Sequence, residues 1–359
     1  MHYTQHNPLP IPDIGPTESI DVTMTSIFDW EYALKRENLL SLYEKGKANT
    51  WNATDLDWSI DVNLEKIQRD YMGMGSQEVF NQTLHPPHPL EPDQAVALNL
   101  NINAWMLSQF LHGEQGALLA TAKIVQGVPW EEAKWYAANQ VADEARHVEV
   151  YHRYLTEKLG LSFGVNRHLR VLLDDIISDS RWDMTYLGMQ IMVEGLALAA
   201  FGLMRLQNPD EPLIQDITTR IMADESRHVA FGVLSLEHLY TKELSAAELH
   251  EREEFVIDAT HLMRDRLLME DVYERMGLDV KTWVDWSIRT PFMTGFRQML
   301  FSKIVPNLKR IGLLTPRVRE AYAKLDLLRF EHLKDSSEDP EAATPMELIE
   351  TLAKIRAGV

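Results

Sequence analysis

Between about residues 95 and 273, apolar side chains recur every three to four positions, the spacing that lines one face of a helix. Phe110, Glu114, Ala117 and Thr121 share one such face, and Leu187, Ile191, Glu194 and Leu198 share another. In both stripes a carboxylate interrupts small or apolar residues. Prolines in this stretch occur only at Pro129, Pro209 and Pro212, each among polar or turn-forming residues, so they read as punctuation between long helices. The pattern predicts an all-α protein with core helices at about 95–126, 130–158, 181–207 and 211–240, and another near 244–273.

The flanks are less regular. The first twenty or so residues are Pro-rich and read as extended, and Ile27 to Lys47 reads as a helix. The segment TWNATDLDWSIDVN follows, and Pro86, Pro87, Pro89 and Pro92 then interrupt any helix. Residues 278–334 read as helical pieces broken by Pro291, Pro306 and Pro316. A polar linker, KDSSEDPEAATP, leads to a short amphipathic helix from Met346 to Ile355. The expected organisation is an N-terminal extension (1–94), a four-helix core plus one following helix (95–275), a helical extension (276–334), and a linker with a terminal helix (335–359).

Composition narrows the function classes. With 45% hydrophobic and 25% charged residues, the 359-residue chain has the makings of a large buried core. A formal charge of −19 argues against attachment to nucleic acid or an anionic membrane, which needs clustered Lys and Arg. Small molecules and protein partners remain. The chain has no cysteine, which excludes disulfides, thiolate zinc sites, cysteine-ligated iron–sulfur clusters and cysteine nucleophiles within it. MHYTQHNPLPIPDIGP lacks a basic start and an apolar run, and no stretch approaches the roughly 20 uninterrupted apolar residues of a span, so the expected location is cytoplasmic.

Two pentapeptides carry the chemistry: Asp143-Glu144-Ala145-Arg146-His147 and Asp224-Glu225-Ser226-Arg227-His228. On a helix, Glu at i and His at i+3 project from one face a turn apart, so an oxygen and an imidazole nitrogen converge on one metal ion. Each pentapeptide follows a helix bearing a carboxylate in its apolar stripe: Glu114 lies 30 residues before Glu144, and Glu194 lies 31 before Glu225. From the turn near Gln126–Trp130, about 12 residues (roughly 18 Å) lead back to Glu114 and about 14 (roughly 21 Å) lead on to Glu144. The second half has about 13 and about 14 residues on its two arms, so all four carboxylates reach nearly one level of a bundle. Four buried carboxylates repel one another and lose hydration, a problem that two divalent cations remove. Mixed carboxylate and imidazole ligation suits iron or manganese better than a closed zinc site, and one Glu from each of two helices with Glu-x-x-His from the other two is the known diiron bundle arrangement.

Over about residues 95–240 the chain resembles the ferritin-like diiron carboxylate superfamily. GEQGALLATAK around Glu114 and the two Asp-Glu-x-Arg-His motifs are most similar to the hydroxylase large subunits of bacterial multicomponent monooxygenases. The small subunit of ribonucleotide reductase and the acyl-carrier-protein desaturases share the pattern more loosely. The resemblance implies a ferritin-like four-helix bundle with flanking helices and a metal set of Glu114, Glu144, His147, Glu194, Glu225 and His228. It also implies two iron ions, with manganese as an alternative at one or both positions, dioxygen as co-substrate, and an external electron-donor protein such as a reductase or ferredoxin. Asp143 and Asp224 are candidates to orient the histidines, with Arg146 and Arg227 balancing charge; buried ion pairs without that role are the alternative. Tyr151, one turn beyond His147, corresponds to the radical-bearing tyrosine of the reductase subunit, and a plain buried tyrosine is the alternative. Trp51 is similar, over a short match, to that subunit's electron-transfer tryptophan.

The chain also departs from these relatives. Leu198 stands where the monooxygenases carry a threonine near dioxygen, and Ile221 stands where aminobenzoate-type N-oxygenases carry a seventh, histidine ligand. His112, His152 and His238 lack a helical spacing to a metal carboxylate. The leading expectation is an oxygenase acting on a small organic substrate, apolar or amphipathic and free or carrier-bound, by hydroxylation, desaturation or N-oxygenation. A radical-generating subunit and a non-catalytic iron-binding protein are the alternatives, and a homodimer is the expected assembly.

Overall fold

Two short helices, α1 (Glu37–Ala48) and α2 (Leu64–Tyr71), precede the core in this computed structural model, which describes residues 17–71 and 85–338. α3 (Pro92–Gly127) opens with a proline at its first turn, where the missing N–H costs nothing. α4 (Glu131–Arg153) continues through a wide π turn, Tyr154–Leu159, and stops at Gly160, whose φ of 60° suits glycine. α5 (Arg167–Ser178) starts from Asn166, whose side chain accepts the His168 amide. α6 runs through Trp182–Tyr186, a π segment Leu187–Val193, and Glu194–Gln207. α7 (Pro212–His238) is capped by Glu211, which accepts the Leu213 and Ile214 amides.

α3 packs along α4 as one hairpin, α6 along α7 as the other, and α4 meets α7 across the bundle. This is the expected all-α four-helix bundle with flanking helices, and it sets the faces that carry the candidate ligands inward. α1 lies over the α4–α7 seam. Its close approach depends on Gly46, where an added Cβ would stand 2.7 Å from Asn139 Nδ2 on α4.

The remaining chain wraps this core: α8 (Ala246–Asp265), a short 3₁₀ turn Arg266–Leu268, α9 (Glu270–Arg275), α10 (Val280–Arg289), α11 (Pro291–Met299), α12 (Ile304–Arg310) and α13 (Pro316–Lys324). Among the described residues, the stretch Trp182–Arg205 is long and apolar enough to cross a membrane, but 94% of that window is buried inside the bundle, so its apolarity serves the core.

Three expectations need correction. The helix expected over Ile27–Lys47 begins only at Glu37. Phe28, Trp30, Tyr32 and Leu34 alternate along the chain and are exposed, a period of two that no helix face satisfies. Instead, Glu132 on α4 accepts the amides of Lys35 and Arg36 and fixes where the helix starts. Secondly, α5 fills a stretch left unassigned, burying Leu169, Leu172, Leu173, Ile176 and Ile177 on one face. Finally, the helix near 244–273 breaks at Met269, whose φ is 59°. Pro291 and Pro316 separate helical pieces as expected, each opening a helix, whereas Pro306 lies within the first turn of α12. The terminal helix at Met346–Ile355 lies outside the described residues.

Candidate metal centre

The six sequence-selected residues converge at one level of the bundle, and all six are buried, none more than 5% exposed. Glu114, Glu144, His147 and Glu225 form one group, and Glu144, Glu194 and His228 form a second; within each, one ligand atom per residue lies within 4.8 Å of the others. His147 Nδ1 stands 3.2 Å from Glu114 Oε2, 3.4 Å from Glu144 Oε2 and 3.2 Å from Glu225 Oε1. His228 Nδ1 stands 3.2 Å from Glu144 Oε1 and 3.5 Å from Glu225 Oε2. Glu144 and Glu225 therefore face both histidines with opposite oxygens, the placement of bridging carboxylates. The π segment ends at Glu194, and such widened turns are frequent at functional sites.

The far nitrogen of each imidazole is held across the α4–α7 seam. His147 Nε2 lies 3.2 Å from Asp224 Oδ2, and His228 Nε2 lies 3.3 Å from Asp143 Oδ2. Arg227 donates to Asp224 and Arg146 donates to Asp143, each within its own helix. With Nε2–H committed to a carboxylate, each Nδ1 lone pair is turned toward the glutamates. The two halves differ beyond this point: Asp224 also accepts the Trp51 indole N–H at 2.7 Å, whereas Asp143 accepts the Asn139 amide at 3.1 Å.

Sequence reading missed Gln140, a buried side chain whose Nε2 donates to Glu144 Oε1 at 2.9 Å and Glu194 Oε1 at 3.0 Å. Its position four residues before Glu144, on the same helical face, was the available signal. Asn139, which donates to Asp143, stands in the same relation four residues before it and was missed likewise.

The donor set fits two divalent cations. Glu144 Oε2, Glu194 Oε2 and both Glu225 oxygens are buried without hydrogen-bond partners, a large acceptor surplus for so small a volume. Burial pushes Glu114 and Glu194 well above the usual carboxylate range, and the charge of Glu225 adds to both. Burial also raises Glu144, but the charge of His228, with that of His147 adding to it, outweighs this and holds the carboxylate low. Desolvation disfavours charged imidazoles, yet Glu114 beside His147 and Glu144 beside His228 hold both well above the ordinary histidine value. The pocket thus demands positive charge, which metal ions meet without protons.

Tyr151 is buried against Phe110 and Phe201, with ring centroids 5.9 and 6.1 Å away, and its hydroxyl has no partner among the described residues. Burial, with Glu114 adding to it, pushes its phenol well above the ordinary value, so it stays neutral. Leu198 and Ile221 are buried core residues. His112 sits 3.0 Å from the Phe163 carbonyl, His238 pairs with Glu243 at the surface, and His152 is exposed. None of these three joins the cluster.

A narrow cavity of about 20 Å³ borders the site on the side of Glu114, Glu194 and Glu225. Phe110, Ala117, Val193 and Ala197 supply apolar wall, and Arg266 reaches it from the turn after α8.

No protein-family model matches the chain, and no curated protein matches it. Among solved structures, it is similar to an R2-like ligand-binding oxidase with aerobically reconstituted metal cofactor after photoconversion, at 16% identity and a TM-score of 0.42, over 83% of this chain and 93% of that one. A point mutant of an R2-like ligand-binding oxidase with an anaerobically reconstituted Mn/Fe cofactor is 17% identical with a TM-score of 0.45, over 77% of this chain and 93% of that one.

Proposed function

We propose that the chain is a dimetal oxygenase that holds two iron ions, or iron with manganese, and uses dioxygen to oxidise a small organic substrate. The observation that carries this reading is the convergence of four glutamates and two histidines in two overlapping groups, with buried carboxylate oxygens left unpartnered. When bound, a reduced metal pair supplies electrons and a Lewis-acidic surface for dioxygen activation.

The protein's own residues do the rest. Glu144 and Glu225 would bridge, Glu114 with His147 and Glu194 with His228 would complete the two positions, and Asp224 and Asp143 would keep each imidazole in the metal-binding tautomer. Gln140 steadies Glu144 and Glu194 through its amide. Phe110, Ala117, Val193 and Ala197 keep the cavity wall apolar. Since the chain has no cysteine, electrons come from a separate donor protein, and Trp51, bonded through Asp224 to His147, marks their point of entry. Hydroxylation, desaturation and N-oxygenation all suit such a site, with a free or carrier-bound substrate and a homodimeric assembly.

Elemental analysis after anaerobic loading with ferrous iron, combined with dioxygen uptake on an oxygen electrode, tests this. About two metal ions per chain are expected, with loss of metal and uptake in Glu144→Ala and Glu225→Ala. Substoichiometric metal that those substitutions leave unchanged would sink it.

A second reading, a radical-generating subunit, draws on the unbonded, buried hydroxyl of Tyr151. Electron paramagnetic resonance of aerobically reconstituted protein decides between them: a tyrosyl signal abolished by Tyr151→Phe supports the radical subunit, and silence supports the oxygenase.

A further inference from the structure

Among the described residues, Arg266 is a buried cation without a counter-ion. The 3₁₀ turn Arg266–Leu268 follows α8 directly, and the positive φ of Met269 then sends the chain into α9, so the side chain at 266 enters the protein interior instead of continuing along the helix surface. It is 4% exposed, and among the described residues no carboxylate pairs with it and no group accepts from its Nε. Desolvation alone acts on it, lowering its pKa to about 10, so it remains charged at neutral pH.

A buried guanidinium left in this state is costly, since a charge removed from water needs a compensating partner. The neighbouring arginines show the ordinary solutions: Arg252 pairs with Asp183, and Arg297 donates to the Ser287 carbonyl. Arg266 instead lines the cavity that Glu114, Glu194 and Glu225 also line. Gln109, the other polar wall residue, is already committed to the Gly164 carbonyl and the Asn166 amide.

We propose that Arg266 anchors the carboxylate of a short monocarboxylate substrate in this cavity, beside the metal-binding glutamates. This rests on the oxygenase reading and names its substrate class. A planar carboxylate matches the guanidinium fork through two parallel hydrogen bonds. The cavity of about 20 Å³ has room for roughly one or two water molecules, enough for a carboxylate head only, so the short apolar remainder would lie toward Gly113 and Ala197 in the wall. The glutamates of the same lining also repel a dianion more strongly than a monoanion. Gly113 and Ala197 are partly exposed at the cavity wall, and a Cβ at Gly113 would meet nothing within 4 Å, so this side is the way in.

The test is calorimetric titration of propionate and its neutral isostere propionamide into the full chain, metal-loaded and metal-free, at fixed ionic strength. Wild type is expected to bind propionate about tenfold or more tightly than propionamide. Arg266→Gln should abolish that preference, and Ala197→Phe, which keeps the guanidinium and fills the cavity, should weaken both ligands. Should Arg266→Gln fail to fold, the propionate-to-propionamide ratio in wild type and the weakening of both ligands in Ala197→Phe carry the test. No propionate binding by wild type, or a preference that survives in Arg266→Gln, overturns the proposal. If the surviving binding vanishes on metal removal, the carboxylate sits on the metals, and the oxygenase reading stands without the anchor. Arg266-dependent binding in a chain that takes up no metal would support the anchor and remove the oxygenase reading.

Discussion

Replacing Asp224 with Asn separates the two metal positions. Asp224 Oδ2 accepts from His147 Nε2 at 3.2 Å and from Trp51 Nε1 at 2.7 Å, while Oδ1 accepts from Arg227. An asparagine keeps the shape but has one acceptor oxygen for these donors, and its amide cannot accept from either ring. His147 loses the anion that fixes its tautomer, and loss of such a partner weakens metal binding by about 10–100-fold, or roughly 1.4–2.7 kcal/mol. The effect belongs to the position bounded by Glu114, Glu144 and His147, because His228 is held by Asp143 instead. Arg227, its side chain 5% exposed, also loses its anion, and breaking a pair that buried costs about 3–5 kcal/mol of stability. Asp143→Asn is the mirror experiment with a milder stability cost, since Arg146 is 15% exposed and partly hydrated. Chelator-competition titrations with ferrous iron, read position by position through Mössbauer spectra of enriched iron, give the two affinities; urea unfolding of metal-free protein gives the stability. Asp224→Asn should weaken one position and Asp143→Asn the other. Equal weakening of both positions in either variant, or unchanged affinities in both, would refute the crossed-support argument.

Metal-free protein should lose stability as pH rises, because His147 and His228 have raised folded-state values: their contribution is complete below the ordinary imidazole value of 6.5 and disappears above it. Glu114 and Glu194 act in the same direction from the ordinary carboxylate value of 4.5 upward, whereas the depressed Glu144 and Asp224 cost stability only at acid pH. Metal binding must displace those protons, so the melting-temperature gain on adding ferrous iron should grow from pH 6 to 8, and a gain that shrinks over that range would contradict the assignment. At the bundle end, Glu211 caps α7 through the Leu213 and Ile214 amides at 3.0 and 2.7 Å and accepts the Tyr154 hydroxyl at 2.7 Å. Glu211→Ala should therefore cost about 2–4 kcal/mol by urea unfolding, combining a lost cap with a stranded buried hydroxyl; a loss below about 0.5 kcal/mol would show that water replaces both.

The parts of this protein legible in its sequence are those encoded by local spacing. Glu-x-x-His on one helix face and a carboxylate in an apolar stripe are properties of a single helix, and equal arm lengths about a turn put them at one height. What was illegible depends on chain segments far apart. Trp51 reaches Asp224 across 173 positions, and Glu132 fixes the start of α1 by accepting amides some 96 residues earlier. Arg266 gave no signal because an arginine near a helix end ordinarily faces water, and only the turn into α9 reverses that expectation. The alternation of Phe28, Trp30, Tyr32 and Leu34 was readable and points to extended chain, but the apolar residues after Glu37 masked it.

The internal repeat also hides an asymmetry that bears on how the site works. Both halves supply Glu, Glu-x-x-His and an Asp–Arg pair, so the two metal positions have closely matched ligands. Their surroundings do not match. Behind His147 stands Trp51, joined through one carboxylate, while behind His228 the corresponding carboxylate meets Asn139, an amide that conducts no electron. Gln140 touches Glu144 and Glu194 and has no counterpart beside Glu114, since the residue one turn before Glu114 is the apolar Phe110 of the cavity wall. Glu114 and Glu194 both border the cavity, but only Glu194 is also held by a side-chain amide, that of Gln140. On the proposed dimetal reading, the Glu114–His147 position would lie beside Trp51 through Asp224, whereas the Glu194–His228 position would be braced by Gln140.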